Sequence, residues 1–168
     1  MKLKNLISLA TAVLMLGMTA PCEAALNLFL HIDGIPGDST AVGHTADSDV
    51  SDFEFGMSGG GPNPSFSLSL DKNVNIASPT LALNCANGTT NTSATVSCYR
   101  TTSGGSLALV YSIVVSNVVV TSVSTSASAG GSPAESLSLR FNWIQWTYVP
   151  STGTGGSGTP IVTTYMSH

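Results

Sequence analysis

From Ala25 onward, apolar and polar residues alternate with a period of two, the signature of strands that bury one face and wet the other. In ALNLFLHI, Leu26, Leu28, Leu30 and Ile32 fall on one face, and Asn27, Phe29 and His31 on the other. DFEFGM sets Phe53, Phe55 and Met57 against Asp52 and Glu54, and FSLSLD sets Phe66, Leu68 and Leu70 against Ser67, Ser69 and Asp71. The long β-branched run LALVYSIVVSNVVVTSV keeps Leu107, Leu109, Tyr111, Ile113 and Val115 in phase and slips after Ser116, which predicts a bend or bulge. In ESLSLRFNWIQWTYV the apolar phase runs through Leu137, Leu139, Phe141 and Trp143, then moves to Ile144, Trp146 and Tyr148. A one-residue slip turns every later side chain over, so this segment predicts a strand passing from one sheet to another.

The pattern therefore predicts an all-β fold, a closed or two-sheet β-barrel. One segment is ambiguous. SPTLALNCANG reads as a helix with Ser78 as cap, Pro79 in the first turn and Asn87–Gly88 as its end. It also alternates as a strand through Leu81, Leu83 and Cys85. Glycine- and serine-rich loops at GGGPNPS, TTSGGS, TSASAGGSP and STGTGGSGTP are too short to be domain linkers, and 168 residues suit one domain.

The first 24 residues change the picture of location. Lys2 and Lys4, an apolar run from Leu6 to Met18 and a small-residue end at Ala24 form the layout of a secretory signal peptide. We expect residues 1–24 to be removed, residues 25–168 to form a single domain, and the product to be periplasmic or extracellular with no membrane span. Of five Lys and Arg and nine Asp and Glu, Lys2, Lys4 and Glu23 leave with the signal. Three strong cations then face eight acids, a net charge of −5, which argues against nucleic acid as a partner. Cys85 and Cys98 remain as an even pair in an oxidising compartment, and we expect a disulfide closing about 14 residues and worth roughly 3 kcal/mol; two reduced, buried thiols are the alternative.

Chemistry-bearing motifs are sparse. Asp47 and Asp49 lie two apart, but the calcium-loop glycine and terminal glutamate are missing. His31, His44 and His168 have no companion at zinc-ligand spacing, and no serine sits in a nucleophile elbow. We expect no enzyme activity, cofactor or metal. The sequons at Asn87 and Asn91 are expected by chance in so Asn-, Ser- and Thr-rich a chain.

LFLHIDGIPGDST, followed by His44, an acidic stretch and FEFGMS, resembles the opening of the haemolysin-coregulated protein (Hcp) family, the tube subunits of bacterial type VI secretion. IASPTLALNCANG resembles that family's short helix, and TSVSTSASAGGSPAESLSLRFNWIQWTYVP its late strand pair. The resemblance implies a compact two-sheet β-barrel with one short α-helix, self-assembly into hexameric rings that can stack, and no catalysis. Asp33, Gly34 and Gly37 would mark a turn after the first strand, with His44 at a recurring family position. Gly59, Gly60 and Gly61 would belong to a stacking loop. Cargo or secretion-machinery proteins are possible further partners. The leading expectation is an exported Hcp-like barrel. Its alternatives are a type VI tube subunit with an unprocessed N-terminus and a monomeric barrel holding a small apolar ligand.

Overall fold

A computed structural model describes residues 25–59, 64–152 and 156–167. Eight strands and one helix follow in the order β1 (Leu26–Ile32), β2 (Ser48–Ser58), β3 (Ser65–Asn73), α1 (Ser78–Asn87), β4 (Thr90–Thr101), β5 (Leu107–Ser126), β6 (Ala134–Arg140), β7 (Trp143–Tyr148) and β8 (Ile161–Met166). The sheet order is β4-β1-β2-β3-β6-β5-β7-β8, every pair antiparallel, and β4 also pairs with β5. That additional pairing closes six strands into a barrel. The all-β expectation with one short helix is met.

The 20-residue β5 joins the two sheets. Its first part pairs with β4 and β7, and its later part, from Val119 to Ser126, pairs with β6. The change of partner comes at the expected bend, where Asn117 takes a left-handed φ of 54° and its amide donates to Asn142 Oδ1. Asn142 sits between β6 and β7, so Phe141 ends one inward phase and Ile144 begins the next. This is the phase switch visible in the sequence.

Inward rows cross the sheet in register, for example Phe53, Leu70, Leu137 and Val123. With Leu30, Ile32, Val96, Ile113 and Leu81 of the helix, these rows fill the barrel interior. The interior is thus a packed core, which removes the basis for the ligand-holding alternative. Beyond the barrel, the β2–β3 hairpin lies over β7 and β8 through Phe55 on Trp146 and Phe66 on Tyr165.

The ambiguous segment is the helix. Gly88 ends it at φ 64°, its N–H directed at the last carbonyls, a conformation that favours glycine. Its start differs from expectation: Ala77 occupies the cap position and Ser78 is the first helical residue. The Ser78 hydroxyl is committed elsewhere, to the polar cluster described below.

Candidate assembly surface

The loop between β1 and β2 folds back over the outer face of β1. Asp33 and Gly34 form a turn in which the Ile35 N–H donates to the Ile32 carbonyl, with Gly34 at φ 79°. At Gly37 the chain passes against the Asp47 backbone, and a Cβ there would lie 2.2 Å from the Asp47 carbonyl oxygen. Only glycine permits that approach. The loop then brings His44 flat onto Phe29, with ring centroids 4.0 Å apart and Tyr99 against the edge of both. Phe29, assigned by alternation to a wet face, is only 2% exposed because this loop covers it.

Asp47 joins the two histidines that sequence spacing kept apart. Its carboxylate oxygens lie 2.8 Å from His31 Nδ1 and 2.6 Å from His44 Nδ1. Spending both oxygens on Nδ1 atoms clips the loop to β1; among the described residues, no three His, Cys, Asp or Glu side chains converge as a metal site. The physical role of this constellation is to hold a loop.

A second polar cluster lies inside. Lys72 and Glu135 face each other across β3 and β6, on inward positions next to Leu70 and Leu137. Lys72 Nζ is 2.7 Å from Glu135 Oε1, with the two side chains 0% and 1% exposed. The ammonium also donates to the Asn73 carbonyl, Asn75 Oδ1 and Ser78 Oγ. Ser78 Oγ donates to Glu135 Oε1, and Asn75 Nδ2 to Ser48 Oγ. The network ties β2, β3, α1 and β6 at one point. By charge, Lys72 is simply one of the three strong cations left after residue 24, but its place in the Leu68, Leu70, Lys72 series was a signal that it points inward.

The outward face of β2-β3-β6-β5 is largely hydroxyl. One row reads Glu54, Ser69, Ser138, Ser122, and the next Asp52, Asp71, Ser136, Ser124. Both margins of this sheet are open among the described residues. β1 pairs with β2 only at residues 48–50, leaving 51–58 without a neighbour on the side away from β3, and β4 leaves β5 after Val119.

Gly59 is described, at φ 105°, whereas Gly60, Gly61 and the signal segment 1–24 lie outside the described residues. The disulfide is corrected: Cys85 and Cys98 are both thiols. Cys85 lies near the end of the helix that leads into the start of β4, and Cys98 lies about eight residues along that strand, opposite Leu28 and Tyr111. A rise of about 3.3 Å per residue carries it far beyond the roughly 7 Å Cα separation a bridge tolerates. Burial pushes the Cys98 thiol up from its ordinary value, and burial followed by the neighbouring Cys98 pushes up the Tyr111 phenol. No helix among the described residues is long and apolar enough to cross a membrane.

A family model described as "Type VI secretion system effector, Hcp" matches residues 29–148. Among solved structures, Hcp1 from Salmonella typhimurium is 26% identical, with a TM-score of 0.72 over 84% of this chain and 94% of that one. A type six secretion system protein is 21% identical, with a TM-score of 0.77 over 84% and 96%. A type VI secretion system effector from Yersinia pestis is 20% identical, with a TM-score of 0.68 over 83% and 98%. No curated protein matches.

Proposed function

The chain belongs to the Hcp family of type VI secretion system effectors, a family of structural tube proteins, and on that premise we propose that its mature form, residues 25–168, is exported and assembles into hexameric rings that stack. The observation that carries the ring is the pair of open margins on one four-stranded sheet, residues 51–58 of β2 and 120–126 of β5. Joining the β2 margin of one copy to the β5 margin of the next is a heterologous contact. It continues the sheet from copy to copy and closes when the rotation per subunit completes a ring. The packed interior and the structural use of His31, His44 and Asp47 support a non-enzymatic role.

Export rests on the three-part layout of residues 1–24, and it sets the compartment as periplasmic or extracellular. Stacking is assigned to the glycine-rich segment from Gly56 to Pro64, of which Gly56 to Ser58 are the last residues of β2. Self-association is the primary partnership, with cargo or secretion-machinery proteins as further partners.

Cysteine cross-linking tests the ring. Glu54→Cys and Ser124→Cys, both at exposed positions on the two margins, are combined in the mature chain and oxidised with diamide. The expected product is a ladder of covalent species ending at six copies. Absence of any species above monomer, with the fold intact by circular dichroism, would overturn the edge-to-edge ring.

A further inference from the structure

A third open edge lies outside the four-stranded sheet. Strand β8 pairs with β7 along its whole length, from Ile161 opposite Tyr148 to Met166 opposite Trp143, and among the described residues nothing pairs with its other side. Five of its six residues are exposed, including Ile161 at 61%, Val162 at 52% and Met166 at 57%. Natural edge strands are guarded by charged residues, proline, bulges or a covering segment. β8 has none of these within IVTTYM, and no Asp, Glu, Lys or Arg occurs anywhere from Phe141 to the end of the chain.

We propose that the β8 edge is a self-docking surface, on which β8 of a second copy pairs antiparallel about a two-fold axis. Three observations select a second copy as the occupant. First, residues 25–168 carry a net charge of −5, so two copies approach with least repulsion through charge-free elements, and β7 with β8, like α1 and β5, has no Asp, Glu, Lys or Arg. Second, the sequence complements itself. An isologous antiparallel pair sets a residue opposite its own image at the axis, and β8 has threonine at both central positions, 163 and 164.

With the axis at Thr163, Val162 faces Thr164 and Ile161 faces Tyr165 of the second copy. With the axis at Thr164, Thr163 faces Tyr165 and Val162 faces Met166. Threonine pairs and aromatic with β-branched pairs are among the favourable cross-strand combinations, and neither register sets like charges opposite each other. Third, the two-fold keeps each residue on the same face as its image. The covered face of β7–β8 then runs on into its copy, which extends the half-covered Tyr148–Ile161 pair rather than exposing a new surface.

This contact is separate from the ring: it uses neither margin of the four-stranded sheet, and it joins copies in twos. The test uses the mature chain, its Thr163→Lys variant and two cysteine variants, Thr163→Cys and Thr164→Cys. Both threonines are exposed on a terminal strand, so the fold should survive, and circular dichroism checks it. Light scattering should give a mass for the unaltered chain that Thr163→Lys halves, whether the unit being doubled is a ring or a single subunit. Under diamide, at least one cysteine variant should yield a covalent dimer absent from the unaltered chain, because Cα atoms directly opposite in an antiparallel pair lie about 4.5–5.5 Å apart. An unchanged mass in Thr163→Lys, or no covalent dimer from either cysteine, would overturn the proposal, as it would if a different polypeptide occupied the edge. Six-membered rings persisting in Thr163→Lys leave the ring reading standing on its own, so the two readings fail separately.

Discussion

Breaking the Lys72–Glu135 pair is expected to be among the most damaging single changes in this fold. Glu135→Gln keeps the size of the side chain and removes its charge. The Lys72 ammonium would then remain fully buried with only neutral acceptors: the Asn73 carbonyl, Asn75 Oδ1, Ser78 Oγ and the new amide. Removing one partner of a buried ion pair costs about 3–5 kcal/mol, because the other charge stays desolvated. For a domain of this size each kcal/mol lowers Tm by roughly 2–4 °C, so a fall of about 10 °C is expected. Lys72→Met together with Glu135→Leu removes both charges and fills the space with apolar atoms. Ser78 Oγ keeps the Asn75 N–H and Asn75 Oδ1 keeps the Ala77 N–H, so few polar groups are orphaned. The double variant should lie within about 2 kcal/mol of the unaltered chain. Urea unfolding followed by circular dichroism is read on the unaltered chain, Glu135→Gln, the two singles Lys72→Met and Glu135→Leu, and the double variant. A loss under 1 kcal/mol for Glu135→Gln, or a double variant as unstable as the sum of its singles, would refute this reasoning.

Gly37→Ala drives a Cβ into the Asp47 backbone and should cost about 1–3 kcal/mol in urea unfolding, whereas Gly104→Ala, whose nearest neighbour is a side-chain oxygen at 3.9 Å, should cost little. Because the folded state holds the Cys98 and Tyr111 protons more tightly than the unfolded chain, their contribution is complete below the unfolded thiol and phenol range. It is lost as pH rises above about 8.5. Thermal melts should therefore fall in the alkaline range, and Cys98→Ala should flatten that fall; a melt equally steep in the variant would contradict the assignment. In the mature chain Cys85 should alkylate under native conditions and Cys98 only on unfolding, both without prior reduction, which mass spectrometry reads directly. Deleting Gly59 to Gly61 should shorten stacks in electron micrographs while leaving single rings, and loss of rings in this variant would take the stacking role away from that loop.

Much of the barrel was legible because strand burial follows a simple period. Leu68, Leu70, Leu137 and Leu139 could be placed inward from alternation, and the slips after Ser116 and around Trp143 marked the corner that Asn117 and Asn142 make. Alternation failed where another layer covers a strand. Phe29 is buried by a loop whose path depends on Gly37 and on Asp47 reaching His31, contacts between residues 10 or more apart that no local pattern contains. Lys72 was legible in principle, since a charged residue on an apolar phase calls for a buried partner, but the partner lies across the sheet at Glu135. The cysteine pairing failed for a related reason. Compartment and even number argue that two thiols can pair, whereas only the length of β4 decides whether they meet. The helix was undecidable by pattern, and the start predicted for it at Ser78 was lost to a tertiary demand, the buried ion pair that claims that hydroxyl.

The proposed ring is built from open sheet margins. Native mass spectrometry with negative-stain electron microscopy, on residues 25–168 at micromolar concentration and across a range of salt, tests it most directly. Assemblies whose mass is a multiple of six copies, and ring-shaped particles with a central opening, are expected. A strictly monomeric species at every concentration and salt would contradict it.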